Sequence, residues 1–425
     1  MSWEPLRARF TREALTRSFA PLRIRDYRRW SLAQLLSGAG GAASQVALAW
    51  VVVQLGGDGI ALGAVAACMM LPTLALGPFI GILVDRHSRR SVLFVTAAAQ
   101  MAVALALATL AFSGMLQLWL VFALSLLHGV AFAADNPARQ LLVLDIVGRE
   151  KVTGAVSMNE VIINGSRVLG PAVAGLLLVI ADASWCFVFT ALMFVPSMIV
   201  LWRLRLSPRP VPAPAPHVIG GSAPRGAWHY ATSDAPIRAT LLLAVCAAAS
   251  YNIVVVVPLI VSDVFDGDGG TYGLLTVAFG LGALPGAFFS ATGPMMPRGG
   301  EVRALALGMG VAVVATALAP SLPLLFAGLA VLGAVVMWFI ARANAFVMLT
   351  APVAIRGRIM GIWAMALPGS TVITGLLVGG LADLTDPRVA FGAVGAVTVV
   401  LVAVLWRSLR SDDPRTAVPP TAPGA

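Results

Sequence analysis

The stretch Gly81-Ile82-Leu83-Val84-Asp85-Arg86-His87-Ser88-Arg89-Arg90 separates two long apolar runs of the chain. A carboxylate at the edge of an apolar run is costly unless it is paired, so we expect Asp85 to pair with the arginines that follow it. Gly81 allows a neighbouring helix to approach the backbone closely. The pattern predicts a short cytoplasmic turn between two membrane helices. Any short charged loop would explain equally well the three arginines, Arg86, Arg89 and Arg90.

The composition indicates a polytopic membrane protein. Hydrophobic residues make up 59% of the 425-residue chain and charged residues 11%, with a mean hydropathy of +0.90, whereas soluble domains carry roughly 25% charged residues. About 20 apolar residues can cross the hydrocarbon core as a helix. We therefore predict an all-α integral membrane protein with twelve transmembrane helices. The predicted spans are 30–55, 60–84, 91–112, 116–136, 154–181, 184–204, 238–262, 271–293, 301–319, 322–349, 358–382 and 388–407.

The placement of charge predicts the orientation of the chain. A net charge of +10 could suggest a nucleic-acid partner. However, all but three of the 29 basic residues fall in the termini and in alternate loops, and only Arg388 falls in an opposite loop. Because basic loops stay in the cytoplasm, both termini are predicted to be cytoplasmic, and nucleic acid is not an expected partner. The opposite loops carry Asp58, Asp182, Asp263, Asp266, Asp268, Asp383 and Asp386.

A proline-rich segment divides the spans six and six. Residues 205–237 contain five alternate prolines from Pro208 to Pro216, which predicts an extended or disordered linker. The basic segment 1–29 is either an amphipathic helix on the anionic leaflet or a disordered tail. The predicted order is a cytoplasmic segment 1–29, a six-helix bundle 30–204, a cytoplasmic linker 205–237, a second six-helix bundle 238–407 and a disordered tail 408–425.

The remaining composition argues against enzymatic chemistry. Cys68, Cys186 and Cys246 lie far apart in apolar runs, so no disulfide framework or zinc site is predicted. The sequence has no Walker A motif and no G-x-S-x-G elbow, so neither an enzyme nor an ATP-driven pump is expected, and no cofactor or metal. All basic residues except Lys151 are arginine, as in GC-rich bacterial genomes. The predicted location is the bacterial inner (plasma) membrane.

Ionisable residues inside spans are candidate functional sites, because burying them unpaired is expensive. In span 4, Asp135 and Arg139 lie four residues apart, on one helical face if the helix continues past Pro137. They are either a local ion pair that ends the helix or a gating and proton-sensing pair at the cytoplasmic mouth.

Span 5 places Glu160, Asn164 and Arg167 on one helical face, which we expect to point into the bundle. Glu160 could carry a proton if burial favours its neutral form, which the nearby Arg167 would oppose. Arg167 could instead bind an anionic part of a substrate. The alternative is a permanent Glu160–Arg167 ion pair that tightens the bundle.

Other polar and small residues complete the candidate set. The segment containing Gly170, Pro171 and Gly175 permits close helix contact and a kink. Arg342 either lines a cavity or extends its side chain to the cytoplasmic surface, and we favour the second. Further candidates for a substrate cavity are Gln34, Gln45, Asn252 and Trp338.

These segments together resemble the major facilitator superfamily. The G-x-L-x-D-R-x-x-R-R pattern at 81–90 is similar to its signature loop between the second and third helices, with Ser88 where the family often has glycine. Asp135-Asn136-Pro137-Ala138-Arg139-Gln140 and Arg356-Gly357-Arg358 resemble segments of the drug and siderophore exporter branch (enterobactin-exporter type). Gly170-Pro171 resembles a motif of its proton antiporters, without the leading and the doubled trailing glycine.

The resemblance implies two six-helix bundles that rock around a central cavity. It implies a secondary transporter that exports small amphipathic organic compounds, such as a drug, siderophore or secondary metabolite, by proton antiport. The expected partners are the substrate, protons and membrane lipids, and the expected state is a monomer. The loop at 81–90 would gate the cytoplasmic side. An importer or lipid flippase on the same fold, or a non-transporting membrane receptor, remains an alternative.

Overall fold

The computed structural model describes residues 20–148, 152–204, 224–292, 296–352 and 355–409, and twelve of its helical segments are long and apolar enough to cross a membrane. This confirms the predicted number of spans. Spans 1 to 6 are single helices, because each apolar run is continuous. Their bounds are α1 Arg25–Gln54, α2 Gly59–Arg86, α3 Arg89–Phe112, α4 Leu118–Val147, α5 Val152–Ile180 and α6 Ala183–Arg203.

Spans 7 and 11 are interrupted helices in the second half. Pro258 and Pro368 lie in or beside a π-helical turn, where the missing N–H of proline breaks the regular hydrogen-bond ladder. Span 7 comprises α8 Ala235–Tyr251, α9 Ile253–Leu259 and the π turn Ile260–Val264. Spans 8, 9, 10 and 12 are α10 Gly269–Thr292, α11 Gly299–Ala317, α12 Leu322–Thr350 and α15 Pro387–Val404. Span 11 comprises α13 Arg356–Ala364, the π turn Met365–Gly369 and α14 Thr371–Leu384.

The structure corrects two predictions, the end of span 4 and the conformation of part of the linker. The helix of span 4 does not end at 136 but runs through Pro137 to Val147, so Asp135 and Arg139 share a helical face. The predicted extended linker contains the helix α7, Pro224–Ser233, which packs against α13. Ala227 and Ala231 are buried one turn apart on that helix, and this packing explains why the segment is helical.

Aspartates begin four spans on one face of the bundle, which we call the Asp-rich face. Their carboxylates accept hydrogen bonds from backbone N–H groups in the first helical turn, which otherwise lack partners. At the start of α10, two hydrogen bonds from Thr271 lower the pKa of Asp268. The bond from the Thr271 backbone N–H has the larger effect, and the bond from its hydroxyl has the smaller one. The four capping residues are Asp58, Asp182, Asp268 and Asp386.

The opposite face, which we call the Arg-rich face, repeats one contact in both halves. Arg90 at the start of α3 donates to the backbone carbonyl of Trp202 at the end of α6, at 2.7 Å. Arg303 at the start of α11 donates likewise to the carbonyl of Trp406 after α15, at 3.1 Å. Each half therefore ties its third span to its sixth by the same kind of contact, as expected of two related six-helix bundles.

The two halves meet along α2 with α14 and along α5 with α10. Close contacts hold these pairs together near the Asp-rich face. A Cβ atom on Gly63 would lie 2.6 Å from the carbonyl oxygen of Gly375, so the two backbones touch directly. Trp50 of α1 also stacks on Tyr272 of α10, with ring centroids 6.3 Å apart. The halves are thus packed together at the Asp-rich face.

Candidate functional site

Arg167 lies where the two halves meet inside the bundle. It extends from α5, and its guanidinium lies 5.7 Å from the ring centroid of Tyr251 in span 7. Tyr251 in turn packs edge-on against Phe279 of α10, with centroids 5.7 Å apart. The Arg167 side chain is exposed, although it lies within a span. The cation of Arg167 from the first half and two aromatic rings from the second half therefore form a site that suits an amphipathic ligand.

Asn164 and Glu160 are the two residues predicted to share a helical face with Arg167 on α5. Asn164, one turn earlier on α5, is half-buried. The side chain of Glu160 lies outside the described residues, so the predicted Glu160–Arg167 pair stays a prediction. On the other side, a Cβ atom on Gly280 would lie 2.9 Å from the carbonyl oxygen of Arg167, so α10 supports the backbone of this site directly.

The other predicted cavity residues differ in burial and in their neighbours. Asn252 is only 7% exposed, and its amide donates to the Thr374 hydroxyl at 2.9 Å, so it joins spans 7 and 11 within the second half. Gln34 is buried, whereas Gln45 is exposed on the same helix. Trp338 is half-buried, with its ring 5.4 Å from that of Phe289. In this structure Asn252 and Gln34 are packed between helices, and their predicted role in a substrate cavity stays a prediction.

Asp135 and Arg139 form an ion pair, as their spacing allowed. Asp135 is 5% exposed, and its carboxylate also accepts a hydrogen bond from the Thr96 hydroxyl of α3 at 3.4 Å. The pair therefore lies inside the first bundle, between its third and fourth spans. Burial of a paired carboxylate this close to the Arg-rich end is compatible with either a structural or a proton-sensing role.

The arginines of the signature loop contact their own half. Arg89 pairs with Asp145 near the end of α4, with 2.5 Å between nitrogen and oxygen. Together with the contact of Arg90 to Trp202, this pair ties the loop to α4 and α6. Arg86 is exposed, whereas the surroundings of Gly81 and the side chain of Asp85 lie outside the described residues, so the predicted pairing of Asp85 with the arginines stays a prediction. No sequence spacing marks Asp145 as the partner of Arg89, because the pair joins two different helices.

A second ion pair was also missed. Arg342 of α12 is 5% exposed and binds both carboxylate oxygens of Glu301 in α11, at 2.5 and 2.7 Å. The prediction that Arg342 reaches the membrane surface is wrong, because its charge is neutralised inside the bundle. Only the presence of one acid and one base in neighbouring spans could have indicated this pair.

The small-residue segment of α5 lies between two helices of different halves. A Cβ atom on Gly170 would lie 2.9 Å from the backbone nitrogen of Ala43 in α1. A Cβ atom on Gly175 would lie 3.2 Å from Gly273 of α10, and Pro171 lies between them inside the helix. The segment thus allows α5 to contact both halves closely. Among the described residues, no group of three or more histidine, cysteine, aspartate or glutamate side chains could hold a metal ion.

Twelve spans in two related bundles, with a polar and aromatic site between them, define a secondary membrane transporter. The chain matches the transmembrane secretion effector family over residues 16–418, and it belongs to that family within the major facilitator superfamily. Members of this family are membrane transporters and not enzymes. The chain is accordingly a multi-pass protein of the bacterial inner membrane.

Relatives and solved structures agree with this assignment. The chain is 24% identical to the staphyloferrin A transporter of Staphylococcus aureus, over 56% of this chain and 60% of that protein. It is 27% identical to the multidrug efflux pump Tap of Mycolicibacterium fortuitum, over 90% and 95% of the two chains. The nucleoside transporter NupG has the same fold, with a TM-score of 0.69 and 15% identity over 90% of this chain and 99% of that one.

Proposed function

We propose that this protein exports small amphipathic organic compounds across the bacterial inner membrane in exchange for protons. The relatives that support export are the efflux pump Tap and the macrolide efflux protein A of Streptococcus pyogenes, which is 27% identical over 36% of this chain. The staphyloferrin A transporter extends the expected substrate class to siderophores. The substrate is a small molecule, and the protein acts as a monomer among membrane lipids.

The observation that carries the proposal is the contact of Arg167 with Tyr251. Because the two side chains belong to different halves, a ligand that enters here touches both bundles at once. The ligand would place its apolar part on Tyr251, whose ring packs on the buried Phe279, and a carboxylate or other anionic group on Arg167. Asn164, Gln45 and Trp338 are proposed to contact it as well.

The proposed orientation in the membrane rests on loop charge, and the proposed closed face rests on contacts between the halves. The Asp-rich face is closed by contacts between the halves. We assign this face to the outside because its loops carry a single arginine, Arg388, whereas cytoplasmic loops are rich in basic residues. The Arg-rich face, with both termini, is then cytoplasmic. In this role the signature loop moves with the first bundle, since Arg89 and Arg90 fix it to α4 and α6. Gly81, Asp85 and Arg86 would contact the second bundle when the cytoplasmic face closes.

Proton coupling is assigned to Glu160 and to Asp135 with its partner Arg139. Protonation of Asp135 would remove one charge of a buried pair, which is a change large enough to favour another arrangement of the helices. Glu160 would respond on the same face of α5 as Arg167. The helix segment of Gly170, Pro171 and Gly175 would let α5 transmit the movement between the halves.

The test is substrate-dependent proton flux in proteoliposomes, with a macrolide and staphyloferrin A as the probes. Wild type is expected to move protons when a probe is added, and Glu160→Gln or Asp135→Asn is expected to abolish this flux. Asp182→Asn serves as the control, because Asp182 caps α6 within one half. Probe movement without proton movement would disprove antiport and favour a facilitator or flippase. Probe accumulation in the opposite direction would indicate an importer, and no movement of any probe would favour a receptor.

The role of Arg167 is tested separately with two probes that share a ring body, one bearing a carboxylate and the other an amine. Arg167→Gln is expected to raise the KM for the carboxylate probe about tenfold, the equivalent of one charged hydrogen bond. Arg167→Lys retains the charge and serves as the matched control, with a smaller rise. Equal changes for the two probes would show that Arg167 supports the helices and does not bind the ligand.

A further inference from the structure

Asp383, at the end of α14, contacts the first turn of a helix in the other half. Its Oδ1 accepts a hydrogen bond from the backbone N–H of Gly59 at 2.5 Å, and its Oδ2 accepts one from the N–H of Ile60 at 2.8 Å. Gly59 is the first residue of α2. One carboxylate of the second half therefore binds two backbone amides of the first half.

Helix α2 does not need this contact in order to begin. Asp58 already caps it from within the same half, through the N–H of Ala61 at 2.8 Å. The other amides of a first helical turn have no partner inside the helix, and the helix dipole makes this end partly positive. The cap from Asp58 leaves other N–H groups of the first turn of α2 without a partner inside the helix. A carboxylate from the other half is therefore attracted to this end of α2.

The four aspartates that cap spans on the Asp-rich face all act inside their own half. Asp383 is different, because its partners lie 323 and 324 residues away in the other half. It is also surrounded by contacts between the halves. A Cβ atom on Gly59 would lie 2.9 Å from the carbonyl carbon of Gly379, and the Gly63–Gly375 contact follows one turn deeper. The close glycine contacts let the two helices approach each other, and the Asp383 carboxylate adds hydrogen bonds that exist only while the helices touch.

We propose that Asp383 is a latch that holds the Asp-rich face of the transporter closed. The two hydrogen bonds from α2 must break whenever the halves separate at this face, so they stabilise the closed arrangement alone. The inference rests on the alternating movement of the halves in the proposed function, but on neither its substrate nor its proton coupling. Asp383 thereby sets how often the Asp-rich face opens.

Hydrogen exchange of the full-length protein in detergent micelles tests the latch. Asp383→Asn removes the charge and weakens both hydrogen bonds, so exchange is expected to become about two- to fivefold faster, the equivalent of one contact at a helix end. The increase should cover residues 59–63 and also the second contact between the halves at 171–175 and 269–273. Ile60→Pro removes one of the two N–H donors at a position where a helix tolerates proline, and it should have the same effect.

The matched control is Asp386→Asn, three residues further on, because Asp386 caps α15 within its own half through the N–H of Arg388. This variant should leave exchange at 171–175 and 269–273 unchanged. Faster exchange confined to residues 59–63 in Asp383→Asn would show a simple helix cap and overturn the latch. Equal increases in the control would show general loss of stability and overturn it too. Because the readout needs no substrate, a failure of the proton-flux test leaves this result independent.

Discussion

Three ion pairs neutralise charges in the described spans, and only one of them could be predicted from the sequence. Asp135 and Arg139 are four residues apart on one helix, so their pairing follows from helical geometry. The Arg89–Asp145 and Arg342–Glu301 pairs each join two helices, and no sequence spacing marks such partners. What the sequence does indicate is that a charge inside a span must have some partner.

The Arg342–Glu301 pair is expected to stabilise the second half strongly. Arg342→Gln leaves the Glu301 carboxylate without both of its charged bonds and should lower the free energy of unfolding by about 3 kcal/mol, the lower end for a broken buried pair. The lower end applies because the Glu301 side chain is 24% exposed. Denaturant unfolding in micelles measures the change.

The double variant Arg342→Leu with Glu301→Leu should lose less stability than Arg342→Gln, because neither charge is then left unpaired. Arg86→Gln is the surface control, since Arg86 is exposed. Similar losses for Arg86→Gln and Arg342→Gln would contradict the importance of the buried pair.

At the scale of helices, the apolar runs were sufficient to predict the number of spans but not their interruptions. A run of about 20 apolar residues is a local signal, and each of the twelve predicted runs corresponds to a span. Pro137 lies inside a continuous helix, whereas Pro258 and Pro368 accompany π turns. The same residue type thus has different effects, because neighbouring helices decide how the lost hydrogen bond is compensated.

The contact between α2 and α14 depends on glycine at position 63. Gly63→Ala would place a Cβ atom 2.6 Å from the carbonyl oxygen of Gly375, so the two helices must separate. We expect this variant to open the Asp-rich face. Spin labels at Leu55 and Val389, both exposed and in different halves, should give a longer distance by double electron–electron resonance, in a background without the native cysteines.

Gly41→Ala in α1 is the matched control for Gly63→Ala. A Cβ atom there meets nothing within 4 Å, so the same substitution should leave the distance between the labels unchanged. An unchanged distance in Gly63→Ala would show that the helices adapt without opening, and that the glycine contact does not control the face.

At the scale of the whole molecule, the sequence predicts the division into two six-helix halves. It does not predict how the two halves are placed relative to each other. Loop charge and the six-and-six division indicated two bundles, and the arginine contacts to Trp202 and Trp406 repeat in both. Which face is closed depends on contacts such as Asp383 with Gly59, between residues 324 positions apart. No local pattern encodes such a contact, and a transporter must make and break it.

The predicted orientation can be tested on the whole protein in intact cells. In a background without Cys68, Cys186 and Cys246, a cysteine in place of Leu384 should react with a membrane-impermeant maleimide added outside, because Leu384 is 85% exposed on the Asp-rich face. Arg86→Cys, on the exposed Arg-rich face, should react only after the membrane is permeabilised. The physical reason is that arginine-rich loops resist transfer across the membrane. The reverse pattern of labelling would place the termini outside, and the proposed closed outer face would then be the cytoplasmic one.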